Sequence, residues 1–347
     1  MKKHVVTIAE EEFVKHYSDA AWFCEVPVLD LNFIGKFALS KLTRETGVKV
    51  ILSGEGSDEQ FAGYGNLLAD FLREMDYAWP KRDLPEDYRI QRLAEEERPN
   101  SNQDSLSNIR QPDPPSAAFA RKQVNNVGMI NISAFMHING QLADWPRKEF
   151  GYADPRTVVV HNSLTGTVRS KINTKWHPLH SALYVWQKIY LANILLTTLG
   201  DRVEMSHSIE GRQPYLDHHL TEYVNKLPPT MKLRWDPTTK TFNEKWILKE
   251  AAKPFITEEL YKRRKHPFSA PVKYQKDGPL QRYFESIMTR ENVENIGFLE
   301  WNKCKGLIRE AFVEKNSVQM RKLFLVTQFI EIGKRFGVKK AVPEYTI

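Results

Sequence analysis

The period of the apolar positions changes several times within the first fifty residues. His4-Val5-Val6-Thr7-Ile8 is β-branched and predicts a short strand. Glu10, Glu11 and Glu12 then open a helical pattern on Phe13, Val14, Tyr17, Ala21 and Trp22. A second helical stretch, Phe33 to Arg44, is stopped by Gly47, and Val48-Lys49-Val50-Ile51-Leu52 predicts an apolar strand of the kind buried in a parallel sheet. Strand, helix and strand in this order indicate an α/β region. Beyond it, Ala117 to Leu142 and His180 to Leu199 carry long apolar patterns without strand alternation and predict helices. Met320, Leu323, Phe324, Phe329 and Ile330 predict a closing helix.

Between Pro80 and Pro115 the composition shifts to Pro, Asn, Asp, Ser and Gln, as in Arg98-Pro99-Asn100-Ser101-Asn102-Gln103-Asp104, which predicts a mobile surface insertion. The expected organisation is a partial nucleotide-binding α/β region over 1–79, a variable insertion over 80–176 and a mainly helical remainder over 177–347. At 41% apolar and 27% charged residues the chain is ordinary for a globular protein, and no stretch has the roughly 18 apolar residues of a membrane span. The N-terminus has no apolar signal-peptide core. Cys24 and Cys304 are far apart and outside any metal-binding spacing, which fits a reducing, cytoplasmic setting and buried spectator thiols. The net charge of +7 is densest at Lys262-Arg263-Arg264-Lys265-His266. That run is short and lacks interleaved aromatics, so it suggests a local phosphate or surface site, with no nucleic-acid or membrane partner.

Three segments carry chemistry. Ser53-Gly54-Glu55-Gly56-Ser57-Asp58-Glu59 follows the Val48–Leu52 strand and precedes a helix expected through Phe61 and Tyr64, the position where open α/β sheets bind ligands. Its glycines let backbone N–H groups approach phosphate oxygens. Its three carboxylates, Glu55, Asp58 and Glu59, would repel a polyphosphate unless a divalent cation stands between, which implies magnesium. A plain turn with Ser57 or Asp58 as helix cap is the alternative. The second segment, Asp201 to Asp217, reads alone as a charged helix running into a proline turn. The third, Asn243 to Glu250, reads as a helix with Lys245 and Lys249 one turn apart on the same face, where one amine could reach a phosphate.

Together these segments resemble the class-II glutamine-dependent asparagine synthetases and the related β-lactam synthetases. The pattern L-S-G-E-G-x-D-E-x-F-x-G-Y is met by Leu52 through Tyr64, and D-R-x-x-M-x-x-S-x-E-x-R-x-P-[FY]-L-D by Asp201 through Asp217. K-x-x-L-[RK]-E is met by Lys245 through Glu250, and R-x-K-x-x-F-x-x-P by Arg263, Lys265, Phe268 and Pro271. The resemblance runs from about His4 to residue 335, apart from 80–176. It implies that Ser53, Gly54 and Gly56 meet ATP, that Glu55 orients or deprotonates groups during adenylation, that Asp58 meets magnesium-pyrophosphate, and that Lys245 neutralises the departing pyrophosphate. The implied fold is α/β, an incomplete doubly wound parallel sheet of the adenine nucleotide alpha-hydrolase type joined to a large mainly α-helical portion.

The family's S-G-G-x-D-S phosphate loop has no counterpart here, since the S-G pair is Ser53-Gly54, and neither has the N-terminal cysteine of its glutaminase domain. The chain therefore reads as a C-terminal portion of a longer synthetase, inactive alone, with its first two sheet strands supplied elsewhere. The expected reaction is conversion of aspartate, ATP and ammonia, or glutamine through a separate glutaminase domain, to asparagine by way of β-aspartyl-AMP. Two alternatives stand beside it: a relative amidating another carboxylate, and a non-catalytic remnant docking on a partner chain that brings the missing strands.

Overall fold

The computed structural model describes residues 2–79, 81, 83–97, 115–134, 138–151, 154–263, 265–266 and 268–344. The chain is a mixed α/β protein, mostly helical, with one small parallel sheet and one antiparallel hairpin among the described residues. Most of the surface insertion expected over 80–115 lies outside them. Within 83–97, the helix Glu86–Glu96 follows Pro85.

Helix α1 (Glu10–Cys24) begins with its three glutamates, whose charge suits a helix N-terminus, and ends where Glu25 turns left-handed at φ 61°. Its buried face, Phe13, His16, Tyr17, Ala20, Ala21 and Cys24, has the spacing of one helical side. It packs against α2 (Asn32–Glu45), the helix Pro279–Ile287 and the terminal helix Ser317–Phe336, the last standing where the sequence expects a closing helix. Asn316 caps that last helix by accepting from the N–H groups of Val318 and Gln319. Polar ties lock this first core. The Tyr17 hydroxyl bonds Thr327 Oγ1 at 2.6 Å, and Gln328 both accepts from Val28 N and donates to Val28 O. Cys24 and Cys304 are buried free thiols here, pushed up to about 12 by desolvation.

A second core gathers α4 (Leu67–Leu72), the helix Pro178–Trp186, and the hairpin β3 (Leu233–Asp236) with β4 (Thr241–Glu244). Val124, Val127, Ile130, Val160, Leu164 and Ile172 contribute to it, so residues within 80–176 form part of this packing. The helix expected over Ala117 to Leu142 is interrupted. Pro115–Lys122 is helical, Asn125 and Asn126 turn left-handed, and a tight 3-10 segment, Gly128–Ala134, follows. Consecutive asparagines tolerate that turn, and apolar periodicity alone does not register them. The predicted helix over His180–Leu199 is present as Pro178–Trp186 continuing into a widened helix, Gln187–Glu204. That widened helix joins the cores, with Leu191 in the second and Leu199 and Val203 in the first. No helix among the described residues is long and apolar enough to cross a membrane.

Four sequence expectations give way. His4–Ile8 forms no strand, and Val5 and Val6 are exposed, because a β segment has no ladder without a described neighbour. The strand after Gly47 is shorter than expected: β1 (Val50–Leu52) pairs in parallel with β2 (Glu210–Arg212), on one side only among the described residues. Leu52 is 73% exposed and Val50 45%, so β1 is an edge rather than a buried strand. The Asp201–Asp217 segment ends its helix at Glu204 and turns at Ser208 (φ 58°) before entering β2. Asn243 and Glu244 belong to β4, and Lys245 sits left-handed (φ 53°) ahead of the helix Trp246–Ala252, so the expected helix starts three residues late.

Asp70 ties the second core together. It is buried, accepts the Gly128 N–H at 2.9 and 3.1 Å, and is pushed up to about 7 by desolvation. Its folded pKa lies above the unfolded one, so its stabilising contribution is complete below the ordinary carboxylate range and is lost as pH rises through about 7. Urea unfolding of the wild type and Asp70→Asn across that window is expected to diverge, the variant gaining on the order of 4 kcal/mol relative to wild type by the alkaline end. Parallel curves would contradict this.

Candidate functional site

The site is built where β1 ends. Ser53 N donates to Arg212 O at 2.8 Å, extending the parallel pairing by one residue and fixing where the glycine turn leaves the sheet. Gly56 lies at φ +91°, a left-handed conformation that favours glycine, and an added Cβ would fall 2.3 Å from Leu216 Cδ2. At Gly54 an added Cβ would meet nothing within 4 Å, so that side of the turn is open to a ligand. The helix that follows, α3 (Ser57–Phe61), is only five residues long and stops at left-handed Ala62, short of the expected Tyr64. A helix so short contributes little dipole, and side-chain charge dominates the turn.

Asp58 is the centre of that charge. Lys245 Nζ lies 3.0 Å from its Oδ1 and Lys265 Nζ 2.7 Å from its Oδ2, all three side chains being largely buried. Distant stretches bring the amines there. Lys245 is held by its backbone N–H on Phe61 O at 3.2 Å, and its left-handed backbone sets the side chain at the hairpin exit. Lys265 N donates to Glu244 Oε1 at 3.1 Å, while Lys249 pairs with the same Glu244 oxygen. Lys249 therefore lies on Glu244, away from the Asp58 cluster. Two ammoniums on one carboxylate leave a net positive charge, the requirement for holding a polyphosphate.

Glu55 lies on the other side of the turn. Its Oε1 is 3.2 Å from Lys36 Nζ, and the same amine is 3.5 Å from Glu204 Oε2. Glu204 is buried, and desolvation raises its carboxyl above the usual range against the pull of Lys36. Glu59 is turned inward, accepting from the Tyr64 hydroxyl and from Trp186 Nε1 at 3.2 Å, and desolvation raises it too. It anchors α3 to the second core. Thus Ser53, Gly54, Glu55, Gly56 and Asp58 share one turn, Lys245 joins Asp58, and Glu55 faces a different amine. Lys36 and Lys265 were not singled out from the sequence as site residues. The R-x-K-x-x-F-x-x-P match pointed at Lys265, whereas nothing in the pattern of α2 distinguishes Lys36 from a solvated helical lysine.

No group of three or more His, Cys, Asp or Glu side chains able to hold a metal is found among the described residues, and both Asp58 oxygens already face lysines. These residues do not fit a resident magnesium site. Two lysines on one carboxylate leave a positive balance suited to an anion.

The asparagine synthase family profile matches residues 1–331, and the chain belongs to that family. It is 38% identical over 338 residues to amidase chyE of Penicillium rubens and 35% identical over 338 residues to amidase chry2 of Gibberella zeae, covering 97% of this chain and 49% of each relative. A putative glutamine-hydrolyzing asparagine synthetase of Mycobacterium bovis is 25% identical over 285 residues, 78% of this chain and 37% of that protein. The chain thus spans about half the length, or less, of these relatives.

The turn makes a direct prediction. Gly56→Ala is expected to lower stability by about 1–3 kcal/mol through left-handed strain and the clash with Leu216, and Gly54→Ala by about 0.5 kcal/mol or less. Urea unfolding midpoints check both. Equal effects at the two glycines would refute the assigned geometry.

Proposed function

We propose that this chain is the synthetase portion of an ATP-dependent ligase that converts a carboxylic acid into an amide. The observation that carries the reading is the convergence of Lys245 and Lys265 on Asp58 at the open end of the parallel sheet. Acyl adenylation joins a carboxylate oxygen to the α-phosphorus and expels pyrophosphate, so negative charge grows on the phosphates as the bond breaks. Fixed ammoniums aimed at that charge stabilise the transition state. Lys245 and Lys265 serve the pyrophosphate end, Asp58 keeps them in place, and Ser53, Gly54 and Gly56 line the approach of the nucleotide. Magnesium arrives with the ATP as part of the substrate and screens its charge. Glu55 faces the second half-reaction, in which ammonia attacks the acyl carbon and AMP leaves. Aspartate is the reference acid for a family of asparagine synthases. The higher identity to two proteins named amidases supports a different carboxylate as an equal candidate.

A second reading concerns the sheet. With Leu52 and Val50 exposed on an edge strand paired on one side, we propose that further strands dock there and complete a doubly wound sheet, whether from the same polypeptide or a partner chain. Ammonia supply from a glutaminase domain belongs to the same proposal. The enzyme is then active only in the completed assembly.

ATP–pyrophosphate exchange on the intact gene product, with aspartate and a panel of other carboxylic acids, tests the function. Acid-dependent exchange is expected, with Lys245→Met lowering it by about 100–1,000-fold and Lys265→Met by about tenfold or more. Absence of exchange with every acid, or exchange indifferent to Lys245→Met, contradicts the reading.

A further inference from the structure

Lys36 stands apart from the phosphate-facing lysines. It projects from α2 into the site, its side chain is only 13% exposed, and it meets carboxylates from two other segments: Glu55 of the glycine turn at 3.2 Å and Glu204 at the end of the widened helix at 3.5 Å. Glu204 is itself 5% exposed and lies under β2, where an added Cβ on Gly211 would approach its Oε2 to 3.7 Å. A buried carboxylate of this kind fixes an ammonium far better than an exposed one does, since it has little water to fall back on. The root of α2 is pinned as well. Asn32 donates to Phe268 O and accepts from Ala270 N, and Phe268 Cζ would lie 3.1 Å from a Cβ on Gly35. The segment that delivers Lys265 to Asp58 therefore also seats the first turn of α2, from which Lys36 extends.

Glu55 is the opposite case. It is partly exposed, its Oε1 is taken by Lys36, and its Oε2 has no protein partner among the described residues. We propose that Lys36, anchored by Glu204, is a positioning residue that holds Glu55 by one oxygen and presents the other to the incoming amine in the amide-forming step. This rests on the ligase reading above. In that step the amine nitrogen bonds the acyl carbon, the bond from that carbon to the AMP oxygen breaks with its electron pair leaving on AMP, and one amine proton passes to Glu55 Oε2. A base with a free rotor would sample this geometry only part of the time. Lys36 removes that freedom, which makes its effect one of orientation rather than of nucleotide affinity.

Two measurements on the intact gene product test this. With hydroxylamine as the amine and the acid active in exchange, hydroxamate formation by Lys36→Met is expected to fall about tenfold or more in kcat, with KM for ATP unchanged and Lys36→Arg restoring most of the rate. A raised KM for ATP with unchanged kcat makes Lys36 a nucleotide-binding residue and overturns the proposal. Separately, urea unfolding of Lys36→Met, Glu55→Gln and the pair forms a double-mutant cycle. A coupling of about fivefold in the unfolding constant is expected, alongside a Lys36–Glu204 coupling from Lys36→Met and Glu204→Gln. If the wild type makes no hydroxamate, the ligase reading fails and the amide-forming role falls with it. The cycle then decides only whether Lys36 holds Glu55 in place: coupling sustains that contact and additivity overturns it.

Discussion

One carboxylate held between two ammoniums organises the functional half of this protein. Asp58 stands on a five-residue helix too short to orient itself by dipole or by packing, and it is fixed instead by Lys245 from the hairpin exit and Lys265 from a segment further along the chain. In the low dielectric of a largely buried cluster such pairs are worth more than exposed ones, but taking them out of water is costly, so the arrangement is weak evidence for stability and better evidence for a task. Two amines on one acid leave a net positive balance, and in the proposed function that task is meeting an anion. The N–H groups that deliver these lysines, Lys245 N donating to Phe61 O and Lys265 N to the Glu244 carboxylate, make the hairpin and the glycine turn parts of one device.

Around this centre the two apolar cores act as abutments. α1, α2 and the terminal helix fix the position from which Lys36 enters. α4, Pro178–Trp186 and the β3–β4 hairpin fix Glu59 and Lys245. The widened helix Gln187–Glu204 spans both and ends at Glu204 under the site. Glu55 and Asp58 sit three residues apart in the same turn yet face lysines of different origin. In the proposed ligase that separation would give one short loop a phosphate-facing end and an amine-facing end.

The helices of the first core were legible because their apolar spacing is local and strongly periodic: α1, α2 and Ser317–Phe336 stand where Phe13 and Tyr17, the stretch from Phe33 to Arg44, and Leu323 and Phe324 predict them. The glycine turn was legible too, since its residue types are needed at fixed positions. What escaped depends on partners distant in sequence. β2 is three residues with a glycine at its centre and exists because β1 runs beside it, while His4–Ile8 has strand composition but no described neighbour. The left-handed Lys245 moved a helix start by three residues, a backbone choice that no propensity encodes. Lys36 was invisible for the plainest reason: an amphipathic helix always carries lysines, and only the fold shows which one turns inward.

The account stands or falls on whether the Asp58 cluster receives a polyphosphate. Calorimetric titration of the intact gene product with inorganic pyrophosphate measures this without requiring the acid substrate to be known. Binding that weakens as salt is raised, and that is lost in Lys245→Met/Lys265→Met while the fold is retained, is the predicted result. Equal binding by wild type and the double variant, or none by the wild type, would contradict it.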